Sequence, residues 1–226
     1  NEENPELADS HFVLGIIAFD RRDWQSAAPH FQRSLQLWEK LGDKRRIAWG
    51  LRNLGPTLRA QGRYDQAIDC YTKAIELLEE VHDSAQQAVT RMNLGVVYLT
   101  LAQPQQALEL FMVAEPILDK VCDTLHLAMN HCNMGIAYRA LKQWQEAETS
   151  FLSSIEQWKQ IGNPEAVVNV LDELGLVYLE QGLPKKAEAI FQDALERLVL
   201  IKDEPGYQYQ LEVVREHLKE AMQTDN

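Results

Sequence analysis

The sequence repeats itself every forty residues, and a fixed period in the range of 20 to 50 residues dictates architecture before any local reading does. One ladder is Leu14-Gly15, Leu54-Gly55, Leu94-Gly95, Met134-Gly135 and Leu174-Gly175. Others keep step with it: Ala27, Ala67, Ala107, Ala147 and Ala187; Phe31, Tyr71, Phe111, Phe151 and Phe191; Ser34, Ala74, Ala114, Ser154 and Ala194. A last ladder marks the joints, with Asp43, Asp83, Asp123, Asn163 and Asp203 each two places after an aliphatic residue (Leu41, Val81, Val121, Ile161, Ile201).

Each unit reads as two helices. A helical pattern runs from each joint to a break at Gln61-Gly62, Gln103-Pro104, Lys142-Gln143 or Gln181-Gly182, and a second runs on to the next joint. The joint residues suit N-caps, because a side-chain oxygen there accepts from the free N–H groups of the first turn. Asn163-Pro164-Glu165 adds a proline at the first helical position and an acid near the positive end of the dipole. The small residues let paired helices approach, and the Phe31-type aromatic is expected to fill the gap between neighbouring repeats. No repeat buries that face alone, so stability is expected to be a nearest-neighbour sum along a stack of five.

These ladders resemble the tetratricopeptide repeat, whose pattern W-x₂-L-G-x₂-Y…A-x₃-F is matched five times over about residues 8 to 201. Tyr98, Tyr138 and Tyr178 take the family's tyrosine, whereas Ala18 and Leu58 stand there in the first two repeats. The tryptophan is replaced by His11, Leu51, Arg91, His131 and Leu171, and the usual proline after the second helix is missing. The unit is longer than the common one of 34 residues and is similar to the forty-residue repeats of bacterial signal-transducing NTPases, peptide-sensing regulators and spindle-orientation scaffolds. The expected fold is a right-handed all-α superhelical solenoid, one domain over 1–226, with repeats at about 8–43, 44–83, 84–123, 124–163 and 164–203.

A C-terminal capping helix over about 207–222 is expected to turn Leu211, Val214 and Leu218 inward and Arg215, Glu216, Lys219 and Glu220 outward. At the other end the first helix, with Phe12, Val13, Ile16, Ile17 and Phe19, is apolar nearly all round. Together with a chain that starts at Asn1 rather than methionine, that predicts an upstream domain, or self-association through the first repeat.

The resemblance implies that first helices line the concave side. The middle ladder there is Ile16, Pro56, Val96, Ile136 and Leu176, flanked by Phe12, Phe19, Trp49, Met92, Leu99, Met129, Cys132 and Leu179. It reads either as an apolar groove or, in part, as inter-repeat core. Asn53, Asn93 and Asn133 precede the Leu-Gly or Met-Gly pairs, and an amide offers donor and acceptor together to an extended peptide. In peptide-binding members asparagines at this place do that job; the alternative is that they bond to a neighbouring helix or loop. Arg52, Arg59 and Arg139 lie near the groove centre and Asp172, Glu173 and Glu180 towards its end, so a ligand is expected to carry acid over the former and base over the latter. Pro56 and Pro116 fall inside helices, where a kink is expected.

Other chemistry is not legible. His126 and His131 are five apart on one helix and point away from each other, so with Cys122 and Cys132 they form no expected metal site. There is no phosphate-binding glycine loop, nucleophile elbow or paired-histidine zinc helix, and acid pairs such as Glu79-Glu80 face different ways. With 22 Lys+Arg against 34 Asp+Glu the net charge is −12, which argues against nucleic acid and anionic membranes as partners. Apolar runs such as Phe12 to Phe19 are too short to span a bilayer, and three scattered cysteines fit a reducing, cytoplasmic setting. The expectation is a non-catalytic module without cofactor or metal. It binds a protein or peptide segment through Asn53, Asn93, Asn133, Arg52, Arg59, Arg139, Trp49, Met92, Val96 and Met129, as a sensor or scaffold region of a larger bacterial signalling or transcription-regulating protein. The alternatives are a small-molecule sensor using the same groove, with Arg52 or Arg139 on an anionic group, and an oligomerisation element built on Phe12 and Ile17.

Overall fold

In a computed structural model, residues 4–199, 202 and 206–224 are described, and every element among them is helical. The helices are α1 (Pro5–Asp20), α2 (Trp24–Leu41), α3 (Lys44–Ala60), α4 (Tyr64–Glu80), α5 (Ser84–Thr100), α6 (Pro104–Lys120), α7 (Thr124–Ala140), α8 (Trp144–Ile161), α9 (Pro164–Glu180), α10 (Pro184–Leu198) and α11 (Tyr207–Thr224). The architecture is the all-α repeat solenoid of helix-turn-helix units with a capping helix. The chain divides into two compact units, residues 1–117 and 118–226.

The joints do what their chemistry predicts. Asp43, Asp83, Asp123 and Asn163 precede α3, α5, α7 and α9, and each side-chain oxygen accepts from the backbone N–H three residues on, at 3.1, 3.2, 3.2 and 3.0 Å. The remaining joint, Ile201 and Asp203, lies outside the described residues. The backbone has a shorter rhythm than the side chains: the left-handed conformation recurs every twenty residues, at Arg22, Gly42, Gly62, His82, Ala102, Cys122, Lys142, Gly162 and Gly182. It closes both kinds of turn, and glycine occupies only four of these nine places.

The glycine ladder and the aromatic ladder meet within a repeat. A Cβ on Gly15, Gly55, Gly95, Gly135 or Gly175 would lie 2.3–2.7 Å from the ring of Phe31, Tyr71, Phe111, Phe151 or Phe191, sixteen residues later in the same helical pair. This corrects the expectation that the ring fills a gap between repeats. The glycine opens a window in the first helix, and the second helix of the same repeat inserts its ring.

In the N-terminal unit α1 to α5 pack in chain order, and α1 also touches α3, and α3 touches α5, so first helices form a layer of their own. Phe31, Trp38, Leu51, Leu54, Leu58 and Tyr71 make the core of that unit. Phe12, expected at a self-association surface, turns inward and packs at a tilt against Phe31 and Trp38, with ring centroids 5.8 and 5.1 Å away. Val13, Leu14 and Ile17 stay exposed. Asp9 ties three helices together, accepting from Trp38 Nε1 at 3.3 Å and from Arg46 Nη1 at 2.6 Å. α2, α3 and α6 each run unbroken through an internal proline, Pro29, Pro56 and Pro116.

The C-terminal unit centres on Phe151, Val168, Leu171, Leu174, Val177 and Phe191. α11 caps it: Val214 and Ala221 are buried, Leu211 and Leu218 pack on the core, and Arg215, Glu216, Lys219 and Glu220 are exposed. His217 adds a hydrogen bond to Asp172 Oδ1 on α9 at 2.7 Å.

Candidate functional site

One face of α3 carries Trp49, Arg52, Asn53, Pro56 and Arg59, a helical stripe at spacings of three and four. Trp49 is 42% exposed, an expensive side chain to leave in water. Arg52 lies over α5, donating from Nη1 to Gln86 Oε1. Burial lowers its pKa, and Tyr71 and Asp83 offset part of that. Arg59 is half-buried and, among the described residues, makes no hydrogen bond or ion pair. Two guanidiniums on one helix face therefore have no carboxylate in ion-pair contact among the described residues. On α5, Asn93 and Val96 are half-buried, and Asn93 hydrogen-bonds to no described residue.

Three expected contacts are placed otherwise. Met92 is 1% exposed and belongs to the core. Its position corresponds to Arg52 and Asp172, whose side chains turn towards the next first helix rather than into solvent, so an apolar residue in that register is buried. Asn53 donates one of its two Nδ2 hydrogens to the Trp49 carbonyl at 2.8 Å, a bond within its own helix that turns the amide back along α3 and leaves the second N–H and Oδ1 without a described partner. Arg139 is neutralised inside the C-terminal unit, with Nη2 3.1 Å from Glu173 Oε2 and Nη1 3.6 Å from Glu180 Oε1. That pairing also removes the expected acidic end of the groove, because Asp172 is engaged by His217. Glu173 is pushed above the usual carboxylate range by burial, against the pull of Arg139. Met129 is 39% exposed, and Asn133 is half-buried without a hydrogen-bond partner among the described residues. The middle ladder of Ile16, Pro56, Val96, Ile136 and Leu176 is half-buried at every place.

Tyr71 was not singled out by sequence as a site residue, although the signal was present: the other four members of its ladder are phenylalanine. Its pKa is raised by burial, while Arg59 and Arg52 both favour the phenolate.

Reactive chemistry has little support. Burial pushes the Cys70 thiol up to about 11 and the Cys132 thiol up to about 12, so both stay protonated near neutral pH. His126 pairs with Asp123 and His131 with Gln157, and no group of three metal-ligating side chains occurs among the described residues. Cavities of about 200, 290 and 330 Å³ in the C-terminal unit sit at or below the lower end for drug-sized ligands, and Arg52, Arg59 and Arg139 line none of them. No described helix is long and apolar enough to cross a membrane.

A family model described as tetratricopeptide repeat matches residues 6–80, 46–120 and 125–198. No curated protein sequence matches the chain. Among solved structures it is similar to BtubC (BKLC) from P. vanneervenii, with a TM-score of 0.77 at 18% identity over 89% of this chain and 83% of that one. A STAND signal transduction ATPase with a tetratricopeptide repeat sensor, from Pyrococcus horikoshii, gives 0.76 at 12% identity over 96% of this chain and 35% of that one. The apo form of the quorum sensor NprR from B. thuringiensis gives 0.75 at 17% identity over 90% and 56%. At such identities the likeness is one of fold.

Proposed function

We propose that this chain, which belongs to the tetratricopeptide-repeat family, is a non-catalytic binding module that holds an extended protein segment against α3 and α5. A protein-interaction or scaffold role is typical of the family. The observation that carries the finer reading is the pair Arg52 and Arg59, without ion-paired acid among the described residues and beside the exposed Trp49. A segment that fits places an acidic side chain over the arginines and an apolar one on Trp49, with Asn93 and Val96 along its path. Asn133 and Met129 form a separate contact surface in the C-terminal unit. The repeats from about 8 to 203 with the cap at 207–222 serve this role as one domain in a cytoplasmic protein.

The parent is a bacterial signalling or transcription-regulating protein with this chain as its sensor or scaffold region. Two proteins of similar fold support a sensor role, the Pyrococcus horikoshii signal transduction ATPase with its repeat sensor and the quorum sensor NprR, of which the second is bacterial. A second reading, self-association, is favoured by the exposed Val13, Leu14 and Ile17 on α1, and sedimentation at rising concentration separates it from the first.

Selection of displayed random dodecapeptides on the chain and on an Arg52→Ala, Arg59→Ala variant of equal melting temperature tests the binding reading. The wild type is expected to enrich acidic sequences with a flanking apolar residue, and the variant to lose them. Equal enrichment on both proteins, or none on either, rejects this use of the α3–α5 face.

A further inference from the structure

Tyr71 is the only hydroxyl-bearing member of its ladder, and the geometry aims that hydroxyl through α3. The ring atom closest to a Cβ built on Gly55 is Cζ, the carbon that bears the hydroxyl, at 2.3 Å. In the other four repeats a phenylalanine ring ends at the window; here one oxygen continues past it. Tyr71 is 1% exposed as a residue, and its hydroxyl hydrogen-bonds to no described residue. The hydroxyl oxygen itself is not fully sealed from solvent. Arg52 and Arg59 share the face of α3 on which Gly55 opens, three residues before it and four after it, and both act electrostatically on the phenol.

A phenol inserted between helices and left without a protein partner is costly unless something outside supplies one. The two guanidiniums beside it are in the same position, since Arg52 has only a neutral amide and Arg59 has no bonded partner among the described residues. Asp83 acts on Arg52 from the start of α5 but makes no ion pair with it. The three groups share one need, an acceptor carrying negative charge and more than one oxygen.

We propose that Arg52, Arg59 and the Tyr71 hydroxyl form one oxyanion subsite that takes a carboxylate or phosphoryl group, with Tyr71 as its specificity-determining donor. In supplying that group from a protein segment the proposal rests on the function given above. The subsite itself stands on the window and the two arginines.

The test uses the full chain with ¹⁵N-labelled arginine, titrated with sodium phosphate and separately with sodium acetate at constant ionic strength. The Arg52 and Arg59 Nε–Hε signals are expected to shift saturably, while exposed Arg45 and the internally paired Arg139 do not. Tyr71→Phe keeps the ring that four other repeats use, so its melting temperature is expected to hold or rise while the affinity for the anion falls roughly ten- to a hundredfold, the weight of one hydrogen bond to a charged group. A stronger response to phosphate assigns a phosphoryl source and a stronger response to acetate a carboxylate source, and either supports the subsite. Equal affinity in wild type and Tyr71→Phe, no saturable shift with either anion, or an equal shift at Arg45 overturns it. Saturable anion binding with no peptide enrichment keeps the subsite and removes the protein segment as its source.

Discussion

Replacing Gly55 by alanine puts two well-known effects in opposition and lets the window decide. The new methyl would stand 2.3 Å from Tyr71 Cζ and 2.6 and 2.7 Å from the two Cε atoms, about 1.1 Å inside the 3.4 Å at which ordinary contact begins. The ring has nowhere to withdraw, since Tyr71 is 1% exposed and lies in one core cluster with Ala67 and Ala74. Overpacking costs about 1–3 kcal/mol, and overlap with a ring body rather than a flexible tip puts this case near ~3 kcal/mol. Alanine's helix propensity returns about 1 kcal/mol, which leaves a net destabilisation of roughly 2 kcal/mol. Urea denaturation followed by circular dichroism measures the total. Hydrogen exchange locates it, which matters because a repeat array need not unfold in one step. The loss of protection is expected in α3 and α4 first. Gly15→Ala, whose nearest ring atom is 2.7 Å away, is expected to lose less. If Gly55→Ala matches or exceeds the wild type in stability, helix propensity outweighs the overlap and the window does not set the spacing of α3 and α4.

Two further substitutions test other parts of the structure. His82 holds φ +56° at an exposed joint, so His82→Gly is expected to stabilise the chain by about 0.5 kcal/mol and raise Tm by 1–2 °C, and an unchanged or lower Tm counts against strain at that turn. The His11 pKa is lowered from 6.5 by burial, then by His30, which lies 3.1 Å away between ring nitrogens, and by Arg33. Below about pH 6.5 the unfolded chain therefore binds the proton more readily, and stability falls as pH drops; His11→Gln is expected to flatten the fall in Tm between pH 7.5 and 5.5, and an unaltered slope assigns it elsewhere.

The features that sequence made legible are those whose cause is local. An Asp or Asn at a joint caps the helix that follows it, and the amphipathic pattern of α11 puts Val214 in and Lys219 out without regard to anything distant. The readings that needed correction turn on which neighbour a side chain meets. A forty-residue period places Phe31 near a glycine but does not say whether that glycine is in its own repeat or the next. Arg139 and Arg59 hold equivalent positions on their helices, yet Arg139 finds Glu173 and Glu180 on α9 where Arg59 bonds to no described residue. Asn53 looked available because its competitor is a backbone carbonyl, which every sequence contains. The Tyr71 hydroxyl was the reverse case, a one-atom departure from a ladder in which the likeness of the other four members drew attention away from it.

The two rhythms of the chain, twenty for the backbone and forty for the side chains, define which edits its architecture can absorb. Excising forty residues between equivalent turns returns every cap to a helix start and every glycine to a ring. Excising twenty also rejoins turn to turn, so each helix remains well formed, but it sets a first-type helix where a second-type one belonged and brings ladder against ladder out of phase. Such a chain would satisfy its backbone and fail in its packing. The array is therefore punctuated twice as often as it can be spliced, and growth or loss of repeats is confined to whole pairs of helices.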